Sequence, residues 1–252
     1  MKSKNFIDNG MNEELLKIIN NFDNSGTILA AGNRNLIKIF DYHGQSIAIK
    51  SFKTPIFING FIYKYFRKSK AKRSFENANF LISKNIGTPK PIAYFEEFEG
   101  LFLKKSYYIC ENLDYDFMFR VIFDNQESII LDKLLRSIAN FSFKMHEAGI
   151  EFLDHSPGNT LIKVDENGNY NCYLVDLNRM KFHDSMSIEL RMKNLNKLTP
   201  NDYMVSVIAN EYAKLSGLTE ENVYDSMFME VNKFYEKFER KKSLKKKFIF
   251  WK

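Results

Sequence analysis

The sequence is poor in cysteine, proline and glycine, and each shortage excludes a class of protein. Its two cysteines, Cys110 and Cys172, cannot build a disulfide scaffold, and both lie in apolar, strand-like runs where reduced, buried thiols are expected. The sequence has no closely spaced cysteines and histidines, so it predicts no zinc site. Five prolines and 11 glycines in 252 residues exclude a collagen-like or low-complexity chain.

Long apolar runs are also missing. None approaches the roughly 20 residues that a transmembrane helix needs, and no apolar signal segment follows Met1–Asp8. We therefore expect a cytoplasmic protein. The length suits one large domain or two lobes, and the hydrophobic content is enough for a sizeable core.

The net charge of the chain is positive, at +6. This favours an anionic partner, such as a nucleotide, a phosphorylated or acidic sugar, nucleic acid or an acidic membrane face. No nucleic-acid recognition motif accompanies the charge, so no nucleic-acid partner is expected.

The order of the patterns predicts an α+β fold with two lobes. The first half has strand patterns around one helix candidate at residues 69–84, and the second half reads as helices interrupted by a β-hairpin. Polar residues break the apolar pattern at Glu111 to Asp116. We predict a β-rich N-lobe at 1–111 and a helical C-lobe at 112–252. The strands are expected at 27–31, 36–42, 46–52, 92–98, 101–110, 160–164 and 170–175.

Lys50 ends the strand Ile47-Ala48-Ile49-Lys50, where alternation puts Ala48 and Lys50 on one face. A small residue beside a lysine suits a nucleotide, whose base approaches Ala48 while the ammonium reaches the phosphates. The alternative is a lysine on an exposed strand face. Glu76, on the next helix, is placed to pair with Lys50, or else to make a solvated local pair with Lys72.

Asp154 and Asn159 lie five residues apart in a loop that contains Pro157 and Gly158. In phosphoryl transfer such an aspartate accepts or orients the hydroxyl proton, and such an asparagine binds Mg²⁺. The alternative is a turn with side-chain capping. Asp176 ends the apolar strand Tyr173-Leu174-Val175, one short hairpin after Asn159. It is placed as a second Mg²⁺ ligand, or as a turn cap. These groups stand in the order that kinases use.

The sequence resembles the lipopolysaccharide core sugar kinases, the Kdo kinase group of the protein-kinase-like superfamily. The resemblance covers about residues 26–182 and rests on 69–76, 87–91, 154–159 and Val175-Asp176-Leu177-Asn178-Arg179-Met180. It implies a protein-kinase-like two-lobed fold, ATP as donor and a lipid A-linked core sugar as acceptor. It also implies Asp154 as catalytic aspartate, Asn159 and Asp176 as Mg²⁺ ligands, and Lys50, partnered by Glu76, on the phosphates.

Several departures argue against a typical protein kinase. Phe152-Leu153 replaces the His-Arg before the catalytic aspartate, and Leu177-Asn178 replaces Phe-Gly after Asp176. The phosphate loop is poor in glycine: Gly26 and Gly32 bracket it, and Arg34 follows as a candidate phosphate contact.

The C-terminal segment 236–252 holds eight Lys or Arg and ends in Phe-Ile-Phe-Trp-Lys. Basic and aromatic residues together suit an anionic membrane surface, and a solvated charge run with a folded aromatic end is the equal alternative. The leading hypothesis is a glycolipid kinase, peripheral on the inner face of the cytoplasmic membrane. A kinase for a soluble sugar or antibiotic and a nucleotide-binding scaffold without activity remain alternatives.

Overall fold

The structure is a computed structural model that describes residues 4–10, 12–32, 35–53, 68–100, 102–123 and 129–249. The chain divides into two compact units. Met1–Asp114 together with Asp176–Arg179 form what we call the sheet unit. Tyr115–Val175 together with Met180–Lys252 form the helical unit.

The sheet unit is built on six antiparallel strands in the order β1-β5-β6-β4-β3-β2. Two helices accompany them in the described chain, α1 (Glu13–Asn20) and α2 (Lys70–Ser83). The strands are β1 (Lys4–Asn9), β2 (Thr27–Ala31), β3 (Asn35–Tyr42), β4 (Gln45–Phe52), β5 (Pro91–Glu99) and β6 (Phe102–Glu111).

One face of this sheet packs on α1. Ile47 and Ile49 of β4 are fully buried there, together with Leu15 and Ile19 of α1. Because side chains alternate along a strand, the residues between them point to the opposite face. The predicted pairing of Ala48 with Lys50 on that second face follows from this arrangement.

A buried lysine holds the chain that leaves α1. The ammonium of Lys38 donates to the backbone oxygens of Phe22 at 2.7 Å, Asp23 at 3.2 Å and Ser25 at 2.9 Å. The last carbonyls of a helix and of the turn after it lack partners within the helix, and a cation satisfies them well. Lys38 is 6% exposed, so these carbonyls replace water that its ammonium would otherwise bind.

The helical unit has four helices and three small strand pairings in the described chain. Its core joins α3, α5 and α6. The helices are α3 (Ile129–Glu147), α4 (Ile188–Leu195), α5 (Asp202–Ser216) and α6 (Glu220–Ile249). The strands are β7 (Phe117–Met118), β8 (Ile150–Phe152), β9 (Thr160–Val164), β10 (Tyr170–Leu174) and β11 (Met180–Phe182), paired in the orders β10-β9-β7 and β11-β8.

Most predicted elements are confirmed. The helix predicted at 69–84 is α2 with its two caps, since the Ser69 hydroxyl accepts from the Lys72 amide and Lys84 closes the last turn. The strands predicted at 36–42 and 46–52 flank His43-Gly44-Gln45, which the sequence predicts as a hairpin turn, and His43 and Gly44 have the positive φ that tight hairpin turns require. The strand predicted from 101 begins at Phe102, and Leu101 lies outside the described residues. The sequence prediction missed β1, α1, β7, β8, β11 and α4.

Candidate active site

Lys50 and Asp176 form an ion pair within the sheet unit. The Nζ of Lys50 lies 2.6 Å from Oδ1 of Asp176, and the lysine side chain is 12% exposed. Charge-assisted hydrogen bonds of this kind are among the stronger side-chain interactions, and partial burial limits their screening by solvent. The structure thus brings together two predicted site residues that are 126 positions apart in the chain.

The backbone at Asp176 is held in an unusual conformation. Its φ is +61°, in the left-handed region that few non-glycine residues adopt. Two asparagines fix the segment: Asn178 Nδ2 donates to Asp176 Oδ1 at 2.7 Å, and Asn77 Nδ2 of α2 donates to the carbonyl of Leu177 at 2.6 Å. A strained residue that its surroundings hold in place is typical of a functional site.

Glu76 is not the partner of Lys50 in this structure. Its Oε2 lies 2.8 Å from Nζ of Lys68, so the expected pair with Lys50 is absent, and so is the alternative pair with Lys72. The helical period explains the difference, because Glu76 lies on the half-exposed side of α2 while Asn77 lies on its buried side. The buried side of α2 therefore reaches the Asp176 segment through Asn77.

The other two predicted nucleotide contacts differ in character. Ala48 lies on the Lys50 face of β4, with Cys110 of β6 opposite it in the ladder. Gly32 follows β2 and is exposed, and its amide donates to the Asn35 carbonyl at 3.0 Å. A methyl group added at Gly32 would lie 3.8 Å from the nearest atom, so its surroundings do not demand glycine. Arg34 lies outside the described residues.

Two residues that the sequence prediction overlooked complete the Lys50 face. Tyr108 lies opposite Lys50 and Cys110 opposite Ala48 in the β4–β6 ladder. Burial raises the pKa of Cys110 to about 12 and the pKa of Tyr108 well above its usual value, so both stay neutral at physiological pH. Ala48, Tyr108 and Cys110 are thus uncharged neighbours of Lys50 on the sheet, and such neighbours suit an aromatic base.

In the helical unit, the predicted loop from Asp154 to Asn159 is closed by its own asparagine. Asn159 Nδ2 donates to the Asp154 carbonyl at 2.9 Å, and the Asn159 carbonyl accepts from the Val175 amide at 3.0 Å. Pro157 begins the short 3₁₀ turn Pro157–Asn159, where its fixed φ and missing N–H are tolerated. The asparagine therefore fixes both the loop and the residue that precedes Asp176 in the chain.

Asn159 and Asp176, taken separately, each offer an oxygen of a type that a hard cation such as Mg²⁺ accepts. The amide nitrogen of Asn159 is bound to a carbonyl, and among the described residues its Oδ1 accepts no hydrogen bond. Oδ2 of Asp176 likewise accepts none from that part of the chain, since Lys50 and Asn178 both use Oδ1. One amide oxygen and one carboxylate oxygen are the ligand types that Mg²⁺ prefers.

A chain of hydrogen bonds supports the strand before Asp154. Asn194 Nδ2 donates to the Phe152 carbonyl at 2.8 Å, and its Oδ1 lies 3.1 Å from His146 Nε2. That oxygen can only accept, so Nε2 of His146 donates and its Nδ1 accepts from the Tyr212 hydroxyl at 2.9 Å. Burial lowers the pKa of His146 to about 4, which keeps the ring neutral and this direction fixed.

Lys197, just after α4, reaches the next residue of the same strand. Its Nζ donates to the Leu153 carbonyl and lies 4.0 Å from Oδ1 of Asp154. The predicted catalytic aspartate thus has a lysine beside it that is 43 residues away in the chain. Both side chains are about one third exposed or less.

His155, which follows Asp154, points into the core of the helical unit. Its Nε2 lies 3.0 Å from the Ser142 hydroxyl of α3. Burial lowers the pKa of His155 to about 3, so the ring is neutral. The side chain anchors the loop and does not offer a proton at physiological pH.

The overlooked residues carried weak sequence signals. Asn77 is a polar residue on the apolar stripe of α2, at helical spacing from Ala71, Ser74 and Leu81, and such a residue usually has a buried partner. Asn178 lies within the segment that carried the family resemblance. Asn194 and Lys197 gave no signal, because nothing local to them indicates contact with a loop some 40 residues earlier.

The fold is protein-kinase-like, and two solved structures define the class. A structure of WaaP in complex with acyl carrier protein matches with a TM-score of 0.63 and 13% identity, over 94% of this chain and 98% of that one. The Rio2 kinase–ADP/Mg²⁺–phosphoaspartate complex from Chaetomium thermophilum matches with a TM-score of 0.50 and 14% identity, over 88% and 75%. No curated relative matches the chain in sequence.

The family follows from the sequence itself. A model of the lipopolysaccharide kinase (Kdo/WaaP) family matches residues 39–224, about three quarters of the chain. The chain belongs to this family, as the sequence resemblance predicted. It is therefore a phosphotransferase with a hydroxyl group as acceptor.

Proposed function

We propose that the chain transfers the γ-phosphate of ATP to a hydroxyl of a lipopolysaccharide core sugar, Kdo or heptose on lipid A. The observation that carries the proposal is the 2.6 Å pair of Lys50 with Asp176, together with the strained backbone of Asp176. Family membership supports the reaction class and the lipopolysaccharide context. The choice of sugar rests on the resemblance alone.

The sheet unit would hold the donor. Lys50 would bind the phosphates with its ammonium, and the uncharged face formed by Ala48, Tyr108 and Cys110 would accept the base. When ATP binds, its phosphates compete with Asp176 for Lys50, and Asp176 keeps Oδ2 for the metal. Bound Mg²⁺ would neutralise charge on the phosphate oxygens, with Asn159 and Asp176 as its protein ligands.

Asp154 would orient the acceptor hydroxyl and accept its proton. A carboxylate suits this role because it is negatively charged at physiological pH and accepts hydrogen bonds only. The bond that forms joins the sugar oxygen to the γ-phosphorus, and the bond that breaks releases ADP. Phosphoryl transfer needs mainly positioning and electrostatic stabilisation, so a rigid loop at Asp154 matters for the rate.

The C-terminal part of α6 would bring the enzyme to its lipid-linked substrate. The apolar stripe of α6 is buried at Val223, Met227 and Val231, but its continuation at Phe238 is 51% exposed. In the sequence, Phe238 is followed by Arg240, Lys241 and Lys242 and by three lysines at 245–247. Phe250 to Lys252 lie outside the described residues. Each cation near an anionic leaflet contributes about 1 kcal/mol. None of the described helices is long and apolar enough to cross a membrane.

The experiment is transfer of labelled γ-phosphate from ATP to a Kdo-containing lipid A precursor, with Mg²⁺, by wild type and Asp154→Asn. Label on the lipid that is lost in the variant and without Mg²⁺ is expected. Transfer only to soluble sugars would overturn the assignment of the lipid-linked acceptor. Complete absence of nucleotide binding would overturn the assignment as a kinase and favour a scaffold.

Membrane binding has its own test. The full chain should sediment with vesicles of anionic phospholipid and not with neutral ones. The triple variant Arg240→Glu, Lys241→Glu and Lys242→Glu should stay in solution. Equal sedimentation of both proteins would reject a role for this segment. Adding acyl carrier protein to the transfer assay tests whether that protein changes the transfer rate of this enzyme.

A further inference from the structure

We propose that Lys197 is a positioning residue for Asp154, which fixes the backbone before the aspartate and holds its carboxylate in the orientation that transfer requires. This inference rests on the proposed function, and it assigns a role to a residue outside every motif of the sequence.

The first argument is where Lys197 binds. Its ammonium donates to the carbonyl of Leu153, the residue directly before Asp154, and stands 4.0 Å from Oδ1 of Asp154. One cation therefore contacts both the backbone that sets the position of Asp154 and the carboxylate itself. An ammonium fixed on the Leu153 carbonyl and 4.0 Å from Oδ1 of Asp154 attracts the carboxylate and favours orientations that face it.

The second argument is that the two residues before Asp154 have no polar side chain that could hold the loop. The sequence has Phe152 and Leu153 where a kinase usually has histidine and arginine. Both replacements are apolar, and Phe152 is fully buried. The polar contacts to their carbonyls come from the far end of α4 instead, Asn194 to residue 152 and Lys197 to residue 153.

The third argument is that α4 is itself firmly placed. Asn194 is 8% exposed and is fixed by His146, whose other nitrogen accepts from Tyr212. Leu195 and Leu198, on either side of Lys197, are fully buried in the core of the helical unit. A side chain that starts from so rigid a base can hold its partner to the tolerance that transfer demands.

The chain provides a matched control. Lys193 lies one helical turn earlier on α4 and is exposed. Lys193→Met therefore makes the same change of side chain, with loss of the same charge, at a position away from the aspartate. Lys197→Arg keeps the charge and the donors, and Lys197→Gln serves as a second neutral variant if Lys197→Met unfolds.

Steady-state transfer to the Kdo-containing lipid A precursor is measured for these variants and for Asp154→Asn, with thermal unfolding as a check. Because misplacing a reacting group by about 1 Å costs roughly 10²-fold, kcat of Lys197→Met should fall by about that factor, with KM for ATP unchanged. Lys193→Met should match wild type, and Lys197→Arg should recover most of the loss. A purely structural role would lower the unfolding temperature and would not separate kcat from KM.

Amide hydrogen exchange of the peptide spanning residues 150–160, without substrate, gives a second result. Faster exchange in Lys197→Met than in Lys193→Met supports the inference even if the lipid is the wrong acceptor. If Asp154→Asn is inactive while Lys197→Met behaves like Lys193→Met in both the transfer rate and the amide exchange, this inference alone is overturned. A fully active Asp154→Asn overturns the proposed function and this inference with it.

Discussion

The two units hold their candidate functional groups in different ways. In the sheet unit, charged and amide side chains bind one another directly, as Lys50 and Asn178 both bind Oδ1 of Asp176. In the helical unit, side chains bind backbone carbonyls around Asp154, and Lys197 also lies 4.0 Å from its carboxylate. A group that must exchange partners when ATP arrives suits the first arrangement, and a group that must keep one geometry suits the second.

The largest expected effect comes from breaking the ion pair of the sheet unit. Asp176→Asn should lower transfer by roughly 10²–10³-fold, since under the proposed function it removes a charge that stabilises the reacting groups electrostatically. Lys50→Met should do the same, and the double variant should lose little more than either alone, because the two residues act as a unit. Steady-state transfer rates of wild type, the two single variants and the double variant form a double-mutant cycle. Asp23→Asn, at an exposed position in the same unit, should leave the rate unchanged; strict additivity of the two losses would contradict a shared role.

The neutral supports of the helical unit predict acid sensitivity. Burial lowers the pKa of His146 to about 4 and of His155 to about 3, from about 6.5 in the unfolded chain. The unfolded state therefore binds protons that the folded state does not, so stability is complete above pH 6.5 and falls as pH decreases towards 3. The loss should be on the order of a few kcal/mol.

Urea unfolding at pH 7.5 and pH 5 measures this loss. His155→Gln should be less stable than wild type at pH 7.5 but should lose less stability on acidification. His43→Gln, at an exposed position in the sheet unit, should follow wild type at both values. An identical pH dependence in wild type and His155→Gln would show that this ring is not a source of the acid sensitivity.

A smaller effect sharpens the comparison, because the sheet unit also contains one cation bound to carbonyls. Lys38→Met would leave three backbone oxygens near α1 without their donor, and each unsatisfied group costs about 1–3 kcal/mol if water does not replace it. Since Ser25 is partly exposed, we expect a total loss of about 2 kcal/mol in chemical denaturation. Lys105→Met on β6, at an exposed position, should cost far less, and equal losses would refute a special role for Lys38.

The sequence predicted best what is local. The helix at 69–84, the alternation that pairs Ala48 with Lys50, and the turn around Gly44 depend on neighbours within a few positions, and each is confirmed. The choice of Glu76 as the partner of Lys50 shows the limit, because a difference of one residue on a helix decides between the half-exposed side and the buried side. The supports of Asp154 were out of reach, since α4 is a short helix without a strong apolar period and its contacts span some 40 residues.

The division of labour between the two units can be tested by measuring ATP affinity and phosphate transfer side by side in Lys50→Met and Asp154→Asn. Lys50→Met should lose affinity for Mg²⁺-ATP by calorimetry and lose transfer as a consequence. Asp154→Asn should bind Mg²⁺-ATP as wild type does and transfer no label to the Kdo-containing lipid A precursor. Retention of transfer by Asp154→Asn, or loss of ATP affinity in that variant and not in Lys50→Met, would contradict the account.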